Sequence, residues 1–375
     1  MKKPQKVDLK NINFLKGGLN MKKILYLSNI EVPYRTAFFN ELSKHCELTV
    51  LYERESSTNR DNTWTKSVKR NYNVKYLGGI NIGNENAFSL KILKYVFSKY
   101  DSIVIGCYNS PVAMFAILFM KLMRKPYILN LDGEPFLKGK GFKNKIKHFF
   151  LKGARKYLTA GEKSAQSIES VSKNRPVIPY YFSSLSQEEL NQNSKDISER
   201  NKNVLVIGQY FDYKGMDIAL KAALQTPDIQ YKFIGMGKIT ELFLNEHHCE
   251  DAENIEFIPF LQKADLCNEY RDCAMLVLPS RQECWGLVIN EAASFGTPIV
   301  STKGSGAAVE FLQDDFPQYL AEPNNADDLC RCIQLLFTNE NTADYSEFLI
   351  KKSALYSIEN SVKAHLNAFE IEIEE

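Results

Sequence analysis

Short apolar runs alternate with segments of helical period along almost the whole chain, and no other feature restricts the fold as strongly. Apolar runs bounded by turn residues mark strands buried on both faces, and the helices between them must cover a parallel sheet. In the first half, strands are expected at 24–28, 48–52, 103–106, 127–131 and 157–160, with helices such as 36–44 and 111–123 between them. From 183 to 202 the chain turns polar, rich in Ser, Asn, Gln and Glu, as a linker would be. A second series then begins, with strands at 204–208, 231–235, 255–258, 275–279 and 298–301. Its helices are expected at 214–224, 263–271, 287–295 and 327–338. A chain of 375 residues is long enough for two buried cores. The expected architecture is α/β, with doubly wound domains at 21–182 and 203–355 facing each other across a cleft. Residues 1–20, polar and basic, read as a disordered extension, and 356–375 as a C-terminal helix able to cross back to the first domain. Ligands in such sheets lie beyond the carboxyl ends of strands, so the chemistry should follow strands directly.

Composition removes several function classes. A net charge of +2 gives no overall field for nucleic acid, and no nucleic-acid partner is expected. The eight cysteines fall in or beside apolar runs without a CxxC pair, which suits reduced, mostly buried thiols better than a disulfide framework. Cys330 and Cys332 would point about 200° apart on a helix, a poor chelate. His247-His248-Cys249 reads as an exposed loop, and no Asp-x-Asp occurs, so no metal site is expected. The first twenty residues lack a signal-peptide apolar run. The longest apolar stretch, 111–123, is shorter than the roughly 20 residues a bilayer requires. The expected location is cytoplasmic.

The densest cluster is Arg281-Gln282-Glu283-Cys284-Trp285-Gly286-Leu287-Val288-Ile289-Asn290-Glu291, which follows an apolar strand and enters a helix. Glu283 would sit in the loop, and Glu291 about 6–8 Å along the helix. Amides near Gly286 and Leu287 would form an anion site between them. A sugar-sized gap, a phosphate site and a carboxylate for ribose hydroxyls is the layout of a nucleotide-sugar. Two solvent-facing glutamates would give the same spacing.

Glu283 to Glu291, followed by Ala292-Ala293-Ser294-Phe295-Gly296-Thr297-Pro298-Ile299-Val300-Ser301, resembles the signature of glycosyltransferase family 4 and its GT-B relatives. Three further segments resemble family motifs in order: Val206-Ile207-Gly208 with Lys214-Gly215-Met216-Asp217, then Phe233-Ile234-Gly235-Met236-Gly237, then Phe257-Ile258-Pro259-Phe260-Leu261. The resemblance covers 200–335 well and 21–180 loosely. It implies a GT-B fold of two Rossmann-like domains and a retaining, metal-independent transfer from a nucleotide-diphosphate sugar, with UDP or GDP favoured and no cofactor. It places Lys214 on the leaving diphosphate, where a fixed cation is most useful. Glu283 would take donor-sugar hydroxyls and Glu291 ribose hydroxyls. Gly208, Gln209, Gly235, Gly237, Phe260, Leu261, Cys284, Trp285, Gly286 and Leu287 complete the implied donor site. Many members carry arginine where this chain has Gln209, so a second phosphate cation is missing there.

In the first half, Pro33-Tyr34-Arg35 ahead of Phe38-Phe39 is similar to bacterial members that build surface polysaccharides, which implies a glycan or lipid-linked acceptor. Tyr34 and Arg35 are expected in a cleft-facing loop, with Arg35 able to grip an acceptor phosphate bidentately or simply to face solvent. Where many relatives have histidine, this chain has Asp132-Gly133-Glu134. Asp132 or Glu134 could orient the acceptor hydroxyl, Asp132 as the catalytic candidate, and a plain Asp-Gly turn explains the pair equally well. Between Lys138 and Lys156 stand eight Lys/Arg and no acid, interleaved with Phe142, Ile146, Phe149 and Phe150. Such a segment suits an anionic membrane surface, hence a peripheral place on the inner face of the cell membrane, or a basic outer face whose aromatics pack inward. Two rivals keep the fold: a nucleotide-sugar 2-epimerase, and a catalytically weak binding or partner subunit. A dinucleotide oxidoreductase fails for want of a complete GxGxxG.

Overall fold

The first sheet is built from β1 (Lys23–Ser28), β2 (Glu47–Tyr52), β3 (Asn73–Tyr76), β6 (Ser102–Ile105), β7 (Ile128–Leu131), β8 (Lys156–Ala160) and β9 (Val177–Tyr180). Its strand order is β3-β2-β1-β6-β7-β8-β9, parallel throughout. β4 (Ile80–Ile82) and β5 (Asn86–Phe88) form a separate antiparallel pair. The second sheet, also parallel, runs β12-β11-β10-β13-β14-β15. Its strands are β10 (Asn201–Ile207), β11 (Gln230–Ile234), β12 (Ile255–Ile258), β13 (Cys273–Leu278), β14 (Ile299–Thr302) and β15 (Leu320–Ala321). The computed structural model describes residues 21–55, 69–82, 86–133, 141–190, 195–236, 243, 245–246, 252–339 and 341–372. Glu134, Gly237, His247, His248, Cys249 and residues 1–20 lie outside them.

Each central strand is where its apolar run places it. In β1 every residue after Lys23 is buried, because helices cover both faces of a parallel sheet. Val104 and Leu129, fully buried at the sheet centre, contribute about 1.5–3 kcal/mol each. β3, β9, β15 and the β4/β5 pair are not anticipated from the sequence. β3 alternates exposed and half-buried residues, β9 contains Pro179, which is tolerated at a sheet edge, and β15 has two residues. These edge strands carry too little apolar pattern to read.

Two departures shape the join between the halves. The polar segment 183–202 is pinned rather than loose: Ser183, Leu185, Leu190 and Arg200 are buried. The Arg200 guanidinium donates to Phe295 O at 2.7 Å and Thr297 Oγ1 at 3.1 Å. The last helix, Ile358–Phe369, packs on the helix Pro33–Leu42 and on β9, in the first half. His365, fully buried, lies within hydrogen-bonding distance of Asn130 Oδ1 at 3.0 Å and of Ser361 O at 2.7 Å. Glu310, from the second half, accepts the backbone amides of Glu162 and Lys163 at 3.0 and 2.9 Å, capping the first-half helix Gly161–Ser172, and also accepts Tyr356 OH at 3.0 Å.

Strand order reverses between β1 and β6 in one sheet and between β10 and β13 in the other. Crevices open at such switch points, outside the carboxyl ends of the strands.

Candidate active site

Lys214 stands at the second switch point. It ends the single turn Asp212–Lys214 after β10, and Gly215 follows with φ 67°. A Cβ at Gly215 would collide with the Pro279 carbonyl at the end of β13, so only glycine lets the two loops meet. There Lys214 Nζ pairs with Glu283 Oε1, both side chains mostly buried. Glu283 Oε2 accepts Ser280 Oγ at 2.9 Å, and its backbone amide donates to Gly304 O at 2.8 Å. The Glu283 carboxylate is thus aimed from both sides. Ser280 and the Gly304 loop carry no motif that would have marked them.

The helix Leu287–Ser294 starts at Gly286 without a side-chain cap, leaving its positive end toward this loop. One turn in, Glu291 Oε1 accepts Ser184 Oγ at 2.7 Å and Oε2 accepts Tyr270 OH at 2.8 Å. Burial raises the Glu291 carboxyl above its ordinary range, and the bonds from Ser184 and Tyr270 act against that rise. Each oxygen keeps acceptor capacity for a further hydroxyl. Tyr270, on the helix Lys263–Asp272, and Ser184 were not expected here, since neither stands in a motif.

The other implied donor residues lie along one sheet edge. Gly235 follows β11 and backs closely onto Gly208 after β10; Phe260 and Leu261 follow β12, with the Phe260 ring half exposed. With strands about 4.8 Å apart, the four carboxyl ends from β12 to β13 span on the order of 15 Å. Gln209 is exposed. Arg281, two residues before Glu283, is committed to Asp217 through a fork of 2.8 and 2.7 Å.

Two expectations are corrected. Trp285 does not face a donor: it is 3% exposed, its Nε1 donates to Asn290 Oδ1 at 2.8 Å, and its ring packs between Phe182 and Tyr356 where the halves join. A large aromatic beside a glycine in a loop is equally suited to filling a domain junction. Arg35 is neither in a loop nor presented to the cleft. It lies in the helix Pro33–Leu42, 6% exposed, paired with Asp132 and set over the Phe182 ring at 5.3 Å. Pro33 at the first helical position starts that helix earlier than the apolar period suggests.

Asp132 does reach the cleft. Its Oδ1 accepts Tyr180 OH at 2.7 Å and Asn130 Nδ2 at 2.8 Å, Oδ2 takes Arg35, and the side chain stays 30% exposed. Gly133, next along, abuts the Cys284 carbonyl of the opposite half so closely that no Cβ fits. Asp132, one residue before Gly133, is thus brought up to the loop that carries Glu283 and its partner Lys214. Tyr34 is half-buried against Phe182 at 5.8 Å.

Residues 187–352 match the family model described as glycosyl transferases group 1. An uncharacterized glycosyltransferase of Methanocaldococcus jannaschii is 29% identical over 241 residues, 62% of this chain and 64% of that protein. The O-antigen chain mannosyltransferase C of Escherichia coli is 24% identical over 216 residues, 55% of this chain and 57% of that protein. The chain thus spans less than two thirds of the length of these curated relatives. Among solved structures, Anabaena HepE in complex with UDP superimposes with a TM-score of 0.70 at 16% identity, covering 93% of this chain and 99% of that one. Two parallel-sheet Rossmann-like domains facing across a cleft make this a GT-B fold.

Proposed function

We propose that the chain is a retaining glycosyltransferase of the family 4 type, which moves a sugar from a nucleotide-diphosphate sugar to a glycan or lipid-linked acceptor in cell-surface polysaccharide synthesis. The observation that carries this reading is the Lys214–Glu283 pair at the β10/β13 switch point, with Gly133, next to Asp132 in the other domain, packed on the neighbouring Cys284. The match to glycosyl transferases group 1 and the likeness to an O-antigen chain mannosyltransferase support it.

In this reading the donor diphosphate lies against Lys214 and the open start of the helix Leu287–Ser294, where positive charge meets the charge that develops as the sugar bond breaks. Glu283 exchanges its lysine for donor-sugar hydroxyls, and Glu291 takes the ribose. Asp132, held by Arg35, Tyr180 and Asn130, orients the acceptor hydroxyl, and the leaving phosphate takes its proton on the same face of the sugar. The cation is Lys214, so the reaction proceeds in EDTA. The exposed basic helix Phe142–Leu151 rests on the cytoplasmic face of the membrane and brings the cleft to a lipid-linked acceptor.

A thermal-shift screen of UDP, GDP, ADP and CMP and their sugars, with EDTA present, tests it. A ligand at about 100 times its Kd stabilises the native state by about 2.7 kcal/mol. One nucleotide should raise the melting temperature of the wild type and not of Lys214→Met. No response to any nucleotide would favour a partner subunit without activity, the reading that Gln209 supports.

A further inference from the structure

A second concavity lies at the amino ends of β7, β8 and β9, about 15 Å from the cleft at roughly 3.3 Å per strand residue. It encloses about 360 Å³ and gathers Lys121, Arg124, Lys125, Arg155 and Arg175 over Met120 and Tyr127. No carboxylate lines it. Among the described residues, Lys121, Arg124, Lys125 and Arg175 form no ion pair, and Arg155 has one long contact, 3.5 Å from Glu370. Lys125 Nζ donates to backbone carbonyls, including Ser98 O at 3.2 Å, and Lys121 lies 4.1 Å from the Phe149 ring centroid. Burial holds both lysines below their ordinary pKa. Five cations thus share one concavity with a single carboxylate, Glu370, at its edge, which leaves most of the positive charge to a bound anion.

The rim identifies the anion. Leu122, 74% exposed, and Met123 sit between Lys121 and Arg124 in sequence. Across from them Phe149, 49% exposed, rises from the last turns of the helix Phe142–Leu151, which packs on the helix Pro111–Leu122. A soluble phosphate has no use for an apolar rim. A bilayer offers both partners at once, with phosphates at the headgroup level and acyl chains just beneath. We propose that this pocket docks the phosphate of an anionic membrane lipid and seats the first domain on the bilayer. This deepens the membrane part of the reading above and is independent of the sugar transfer.

The test is flotation of the full chain with phosphatidylcholine vesicles, with and without phosphatidylglycerol, at low salt. Wild type should bind only the anionic vesicles. Arg124→Gln/Arg155→Gln/Arg175→Gln should bind them on the order of 100-fold more weakly, at about 1 kcal/mol per basic residue near the surface. It should keep the wild-type nucleotide-induced thermal shift, which shows that the fold and cleft are intact. Lys143→Gln/Lys145→Gln/Lys152→Gln removes the same charge outside the pocket and should weaken binding much less. Equal losses in the two variants would reduce the effect to diffuse charge and overturn the pocket. So would undiminished binding by the pocket variant, or stabilisation by glycerol phosphate with no vesicle binding. Vesicle binding without any nucleotide response would leave this proposal standing and sink the transferase reading.

Discussion

Neutralising Glu283 should separate diphosphate binding from sugar transfer. In the structure Lys214 spends its charge on Glu283, and both side chains are largely buried, at 21% and 16% exposure. Such a pair lies between the exposed class, worth about 0–1 kcal/mol, and the fully buried class. A diphosphate that recruits Lys214 must displace Glu283 and forfeits about 1 kcal/mol. Glu283→Gln keeps the side-chain shape and the acceptor for Ser280 Oγ but removes the competing charge. The free nucleoside diphosphate should then bind about fivefold more tightly. Transfer should move the other way. Losing a charged hydrogen bond to the donor sugar costs about 1.5–3 kcal/mol, so kcat/KM should fall roughly 10- to 100-fold. Titration calorimetry with the nucleoside diphosphate and initial rates with the nucleotide-sugar measure the two effects. Lys214→Met should lose both. If Glu283→Gln weakens the diphosphate as Lys214→Met does, the pair is a single structural unit and the exchange reasoning is refuted.

Three other substitutions probe what holds the site. Arg35→Met should cost about 3 kcal/mol in denaturant melts, because it strips a buried partner from Asp132, whereas a surface arginine would cost under about 0.5 kcal/mol. Glu310→Ala uncaps the helix Gly161–Ser172 and strands the buried Tyr356 hydroxyl; about 2–4 kcal/mol, or roughly 5–10 °C in Tm, should be lost, and a shift under about 1 °C would contradict the latch. Glu291 has a raised carboxyl pKa, so between about pH 4.5 and that raised value the native state binds more protons than the unfolded one. Its contribution to stability should therefore fall as pH rises through that window and level off above it. Glu291→Gln should remove this slope from the unfolding free energy, and a wild-type slope of opposite sign would show that the carboxylate is favoured by its site.

The sequence by itself determined the architecture and marked the strand-end loops that hold Lys214 and Glu283, which the fold pairs. Central parallel strands are buried on both faces, so their apolar runs are legible one by one, and loops after such strands are where ligands bind. Lys214, Glu283 and Glu291 could be named because each follows a strand in a local motif. Edge strands such as β9 and β15 escaped, since a strand that is short or interrupted by Pro179 has no period to read. Contacts between the halves were decided only by tertiary structure. Arg35 and Trp285 look like ligand residues in one dimension, yet one is buried against Asp132 and the other fills the junction beside Phe182. Ser184 and Tyr270 belong to unremarkable segments until folding carries both to Glu291. The five cations at the amino ends of β7 to β9 are scattered between positions 121 and 175, and only the parallel crossovers, which return each strand start to the same edge, gather them into one pocket.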